Sequence, residues 1–359
     1  MPISAVDTIS LAFQHTKRQL AQPFRFWQWT RLAFVGLLAG EAGSGGCNLP
    51  SNFKIPQQTP GGPKHLLDSP FSSMDPALLA GSIAVLVVVA LVLWIVLMYI
   101  SSVMRFILFD SVLAKECHIR QGWSRRQGPG WKYFLWQLGF GLVMLMLYAV
   151  LLGIPALVAL SLGWFTAPRD HIAGLVLGGF AVFLVAMALV IATLVIHVLT
   201  KDFVVPQMAL EGIGAVEGWR RLWKMIQAEK GGYAAYLGLK LVLAIGAGIV
   251  IAIVSVIVAL VIALPAVLLG VVAAIMGKSA GLTWDAGTIT VAIVVGSVLV
   301  AILLYLVALV AVPAIVFFPA YSIYFFAGRY RALGVALSPA AVVVMPPEEP
   351  PALLPSPAL

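Results

Sequence analysis

The stretch Thr200–Lys230, TKDFVVPQMALEGIGAVEGWRRLWKMIQAEK, is the most polar run between two long apolar segments, and its reading decides the fold. From Ala215 onward Val216, Trp219, Trp223 and Ile226 recur at helical spacing, while Glu217, Arg220, Arg221, Lys224 and Gln227 fill the opposite stripe. That pattern predicts a helix lying flat on a membrane. Its aromatic and aliphatic groups would sink to the acyl boundary, and its Arg and Lys heads would meet anionic lipid. The apolar segments on either side then read as membrane spans.

Composition points the same way. With 62% hydrophobic residues, 10% charged residues and a mean hydropathy of +1.03, the chain is excluded from the ordinary soluble globular class. Its apolar runs lack the short alternation of an outer-membrane barrel, so helices must satisfy the backbone. The expected fold class is therefore all-α, a polytopic transmembrane helical bundle. A net charge of +8 could signal nucleic acid. The Lys and Arg residues gather between spans, however, so membrane lipids, anionic ones above all, are the expected partners and nucleic acid is not.

Residues 4–22 read as an amphipathic helix, with Val6, Ile9, Ala12, Phe13 and Leu20 on one side and Asp7, Gln14 and Arg18 on the other. A broken apolar stretch over Met1–Arg18 argues against a cleavable signal. Spans are then expected at about 24–41, 78–104, 134–164, 173–199, 237–264 and 288–312, all within a single membrane domain of residues 1–334. The first is weak, because Leu32–Ala39 is short and Arg31 must snorkel or be covered. A Gly-, Ser- and Pro-rich linker is expected over 42–76, and a disordered Pro-rich tail over 335–359. Leu241–Met276 carries no charge for 36 residues. As one helix it would run roughly 54 Å against a hydrocarbon core of about 30 Å, so Pro265 is the expected break.

Counting Lys and Arg sets the expected orientation. The segment 105–133 holds Arg105, Lys115, Arg120, Arg125, Arg126 and Lys132, and 200–236 holds five such residues, whereas the alternate loops hold Arg169 and Lys278. The richer loops, and with them both termini, are expected on the cytoplasmic side of a bacterial cytoplasmic membrane. Two termini on one side require an even number of crossings, hence six, as three helical hairpins joined by amphipathic cytoplasmic connectors. The connectors also align at an offset of 96 residues, with Gly122, Trp123 and Arg125 facing Gly218, Trp219 and Arg221. Cys47 and Cys117 then fall on opposite sides, which argues against a disulfide between them.

Chemistry-bearing residues are sparse. Cys117 beside His118 is a mere pair, and no Walker loop or HExxH occurs, so no metal and no cofactor is expected. One GxxxG, Gly174 to Gly178, fits close helix packing within the fold and leaves an oligomer open. The remaining polar groups lie at the ends of descending spans: Arg105, Asp110, Asp202 and Glu211. Structural ion pairing is the plain expectation for them. A functional site would sit in a vestibule of Asp202, Glu211, Trp219, Arg220 and Arg221, with Lys224, Arg105 and Asp110 as further lipid-contact candidates.

At these connectors the chain resembles a known group. DFVVPQMALEG followed by GWRRLWKMI and a new span, and the opening TKRQLAQPFRFWQWTRLAFVGLLAGE followed by a Gly-rich linker, resemble bacterial six-span integral membrane proteins of unknown function. Those are similar to the membrane domain of glycerophosphoryl diester phosphodiesterases. The likeness covers most of residues 10–335, with Pro206, Glu211, Trp219 and Arg221 matching the connector pattern. In such phosphodiesterases the chemistry resides in a separate soluble barrel, so the resemblance implies a membrane module and carries over no catalytic residue.

The expected function is a non-enzymatic membrane protein that scaffolds or regulates envelope processes through lipid-contacting basic helices. Two alternatives stay open: a transporter for a lipid-like or small amphiphilic solute, using kinked spans as gates, and an enzyme acting on a lipid headgroup. The latter would need Asp110, Asp202 and Glu211 to cluster.

Overall fold

A computed structural model describes residues 4–22, 24–41, 76–164, 169–279 and 286–337. Most of the expected linker and tail therefore lie outside the described residues. All regular structure among the described residues is helical. Two short helices, α1 (Asp7–Ala21) and α2 (Phe26–Leu38), precede α3 (Pro76–Ala114), α4 (Ile119–Ser161) and α5 (Ile172–Leu199). A π turn at Thr200–Val204 carries α5 into α6 (Val205–Glu211), followed by α7 (Ala215–Ala228), α8 (Lys230–Ser279), α9 (Ala286–Ala327) and α10 (Arg331–Leu337).

Five of these helices are long and apolar enough to cross a membrane: α3, α4, α5 with its continuation to Glu211, α8 and α9. Their Val, Leu, Ile and Ala side chains match the hydrocarbon, and the helical ladder pairs the backbone within it except where an internal proline lacks its N–H. This is a multi-pass membrane protein. The segment expected as a first span forms α2, only 13 residues and roughly 20 Å long, which is too short to cross alone.

Burial is concentrated at one end of the long helices. Phe106, Tyr133, Phe203, Tyr236, Tyr321, Phe325 and Phe326 are fully buried there, while Leu86, Met146, Leu177 and Leu269 along the apolar lengths stand exposed. We call the packed end the base. It gathers the C-terminal ends of α3, α6 and α9, the N-terminal ends of α4 and α8, and the short helices. Successive long helices are accordingly antiparallel. An aromatic cluster ties it together: Phe203 lies 5.0–5.9 Å from the rings of Tyr233, Tyr236, Phe325 and Phe326, and Tyr236 stacks on Tyr321 at 5.1 Å.

The first helix docks differently from its expected stripe. Val6 and Phe13 are exposed, and the buried face is Thr8, Ala12, His15, Thr16, Gln19 and Leu20. The reason lies in the end of α3, whose last carbonyls have no helical partner. His15 Nε2 donates to the Val112 carbonyl at 2.9 Å, and Gln19 Nε2 donates to that of Ser111 at 3.0 Å. Gln28 of α2 caps the next turn, its Nε2 lying 2.8 Å from the Lys115 carbonyl, where the chain leaves α3 with a left-handed φ of 59°.

Three further expectations change. Helix α8 continues through Pro265 to Ser279, because proline removes one ladder bond while the apolar residues on both sides keep their helical ladder in lipid. Residues 119–133, expected as a connector, are continuous with the span as α4 and pass through Pro129. The second connector does separate: Gly212, at φ 69°, ends α6, and Glu229 leaves helical geometry between α7 and α8. Helix α10 extends to Leu337, so the region expected as tail begins helical.

Candidate functional site at the base

Helix α7 is held against the base by one face and free on the other. Ala215, Gly218 and Leu222 are buried, and Trp219, Met225 and Ile226 pack on the same core. Trp219 Nε1 donates to Thr200 Oγ1 at 3.0 Å, fixing the indole to the π turn. Contact is so close at Gly218 that a Cβ there would lie 2.8 Å from Val204 Cγ1. The opposite face presents Val216 and Trp223, 67% and 56% exposed, beside the exposed Arg220 and Lys224. The stripe read from the sequence is thus split. Trp219 and Ile226 serve the core, while Val216 and Trp223 look outward together with the basic residues.

Each candidate carboxylate has its own cation. Asp110 accepts from Arg126 Nε and Nη2, both at 2.6 Å, and Arg126 Nη1 donates to the Ala209 carbonyl at 2.6 Å, so one guanidinium joins α3, α4 and α6. Glu211 is bound by Arg221 and by the Tyr330 hydroxyl. Burial and that carboxylate raise the Tyr330 phenol above its ordinary range. Glu217 accepts from Arg220 at 2.8 Å and from Arg221 at 3.3 Å. At the α7–α8 corner Glu229 accepts from Arg329 at 2.6 and 2.7 Å, and these hydrogen bonds hold its carboxyl below the usual range.

Deeper in the base lies a second group. Asp202, 3% exposed, pairs with Lys240 and accepts from the Tyr236 hydroxyl at 2.9 Å. Glu41, 4% exposed at the end of α2, pairs with Lys201. Arg105, 8% exposed, donates to Tyr133 Oη at 2.6 Å and to the Ala39 carbonyl at 2.9 Å. Glu41, Arg105, Lys201 and Asp202 line a common cavity with Pro206 and Pro319.

The expected vestibule is therefore two places. Glu211, Arg220 and Arg221 lie together at the outer rim, Asp202 and Arg105 meet inside, and Trp219 bonds the π turn between them. Asp110 belongs to a separate pair, and Lys224 stands exposed on α7. Among the described residues no group of three His, Cys, Asp or Glu could hold a metal ion. Residues 3–336 match a family of unknown function (DUF7544).

The chain belongs to that family. No curated protein and no solved structure matches it. Several residues that organise the base of this family member escape a reading of the sequence. Glu41 looks like the first residue of a linker, Lys240 like a snorkelling lysine, and Arg126 and Arg329 like topology charges. A helical count placing Arg126 one turn beyond Gly122 offers a signal only once α4 is known to cross the end of α3.

Proposed function

We propose that this chain is a non-enzymatic membrane protein that holds the outer face of α7 against anionic lipid, and so scaffolds or regulates envelope processes at the membrane surface. One observation carries the reading: Trp223 and Val216 are exposed on the same face as Arg220 and Lys224, on a helix whose other face is locked into the base. An apolar anchor ringed by cations is the chemistry of an interfacial helix, with each basic residue contributing about 1 kcal/mol near an anionic surface. The resemblance of the connectors to the membrane domain of glycerophosphoryl diester phosphodiesterases, read from the sequence alone, fits a module that places something at the membrane.

The charge count supports a cytoplasmic base in a bacterial cytoplasmic membrane. Helices α1 and α10 both pack there, against α9. Glu41 sits beside Lys201 at the base, whereas Pro76 begins α3 roughly 45 Å along the helix from Arg105. The sixth passage and the three hairpins rest on the charge count, with 24–41 as the segment proposed to complete the set. Separate cations for Asp110, Asp202 and Glu211 support the non-enzymatic reading over a lipid-headgroup enzyme.

The test uses Trp223→Cys in a Cys47→Ser, Cys117→Ser background, labelled with an environment-sensitive fluorophore in reconstituted vesicles. Emission is expected to shift further to the blue with phosphatidylglycerol than with phosphatidylcholine alone, and Arg220→Gln with Lys224→Gln should remove the difference. Identical emission in both lipids would overturn the proposal.

A further inference from the structure

The buried group around Arg105 is unbalanced. Among the described residues three cations, Arg105, Lys201 and Lys240, face two carboxylates, Glu41 and Asp202, each of which is held by a lysine. Arg105 gives its terminal nitrogens to neutral acceptors, the Tyr133 hydroxyl and the Ala39 carbonyl. Its Nε–H is buried and has no acceptor among the described residues. A guanidinium this deep costs several kcal/mol unless its charge and its donors are met.

Space adjoins that side chain. The cavity lined by Glu41, Arg105, Lys201, Asp202, Pro206 and Pro319 has a volume of about 30 Å³. One water needs roughly 10–15 Å³ on the same scale, so the space takes a pair of waters or one monatomic anion. A phosphate with its substituents would need the helices to part.

The cations also converge by design of the chain. Arg105 and Lys201 are separated by the same 96 residues as Gly122 and Gly218, and both sit near the base end of a descending helix. Both glycines pack closely on the helical segment that precedes them, Gly122 on Ile107 and Gly218 on Val204. Each of the two aligned segments thus delivers one cation to the same cavity.

We infer that this cavity is a binding site for one small monovalent anion of chloride size, held between Arg105 and Lys201. The anion accepts from Arg105 Nε–H and neutralises the excess positive charge, so its occupancy locks the ends of α3, α5 and α2 together.

The experiment places the whole chain in phosphatidylcholine nanodiscs in potassium gluconate, an anion too large for the cavity, and replaces gluconate by chloride at constant ionic strength. Expected are saturable broadening of the ³⁵Cl resonance, its displacement by bromide, and an unfolding temperature that rises with chloride. Arg105→Lys keeps the charge and removes the Nε–H, and should weaken chloride binding by about tenfold or more. Lys201→Gln should abolish it. Absence of saturable broadening in the unaltered chain would overturn the inference whatever the variants do. Equal chloride affinity in the unaltered chain and Arg105→Lys would overturn it as well.

Discussion

Arg126 grips Asp110 with two parallel hydrogen bonds of 2.6 Å and spends its remaining terminal nitrogen on Ala209. A planar guanidinium offers this geometry and a lysine does not. The pair stitches α4 to α3 and α6 where the base closes.

Asp110→Asn should lower stability by about 2 kcal/mol, less than the roughly 3–5 kcal/mol of a fully buried pair because Asp110 keeps some solvent contact. Arg126→Gln should cost at least as much, since the Ala209 carbonyl loses its donor too. Thermal unfolding in detergent of both single variants and of the double variant checks this. The double variant should be clearly less damaged than the sum.

The approach of α7 to the π turn makes a second prediction. Gly218→Ala sets a methyl against Val204, which is fully buried, and should cost about 1–3 kcal/mol by overpacking. Gly128→Ala, where nothing lies within 4 Å, should be neutral or stabilising by up to about 1 kcal/mol. Adding Val204→Ala should recover part of the Gly218→Ala loss, as read by the same unfolding measurement.

Docking of α1 should depend on pH. A carbonyl oxygen can only accept, so His15 Nε2 carries the proton towards Val112 and Nδ1 accepts from the Tyr324 hydroxyl at 3.1 Å. Burial depresses the His15 pKa below its ordinary 6.5, and the charges of Lys115 and Arg18 add to that. The unfolded chain then binds the proton more readily than the folded one. The stability from neutral His15 is complete above pH 6.5 and declines as the pH falls below it. His15→Gln should flatten this part of the curve, measured as unfolding temperature against pH.

How much of this was legible in the sequence follows from what each feature depends on. The five long helices answer to uninterrupted apolar runs, a local property, and the end of α6 at Gly212 to a residue that tolerates positive φ. The partner of Asp110 is Arg126 rather than the nearby Arg105, because pairing depends on how α4 is rotated against α3. For the same reason the buried face of α1 is partly polar: His15 and Gln19 are spent on carbonyls at the end of another helix. The outward face of α7 could be narrowed to a stripe but not chosen, since Trp219 and Trp223 are equivalent until the π turn takes one of them.

The arrangement of the base on one side of the membrane can be measured directly. Single cysteines at Arg169, between α4 and α5, and at Arg125 and Lys224, on the base, would be placed in a Cys47→Ser, Cys117→Ser background. They would be treated with a membrane-impermeant maleimide in right-side-out and in inverted vesicles. The account predicts that Arg169→Cys reacts in right-side-out vesicles alone, and Arg125→Cys and Lys224→Cys in inverted ones alone. Reaction of Arg169→Cys and Lys224→Cys from the same side would contradict it.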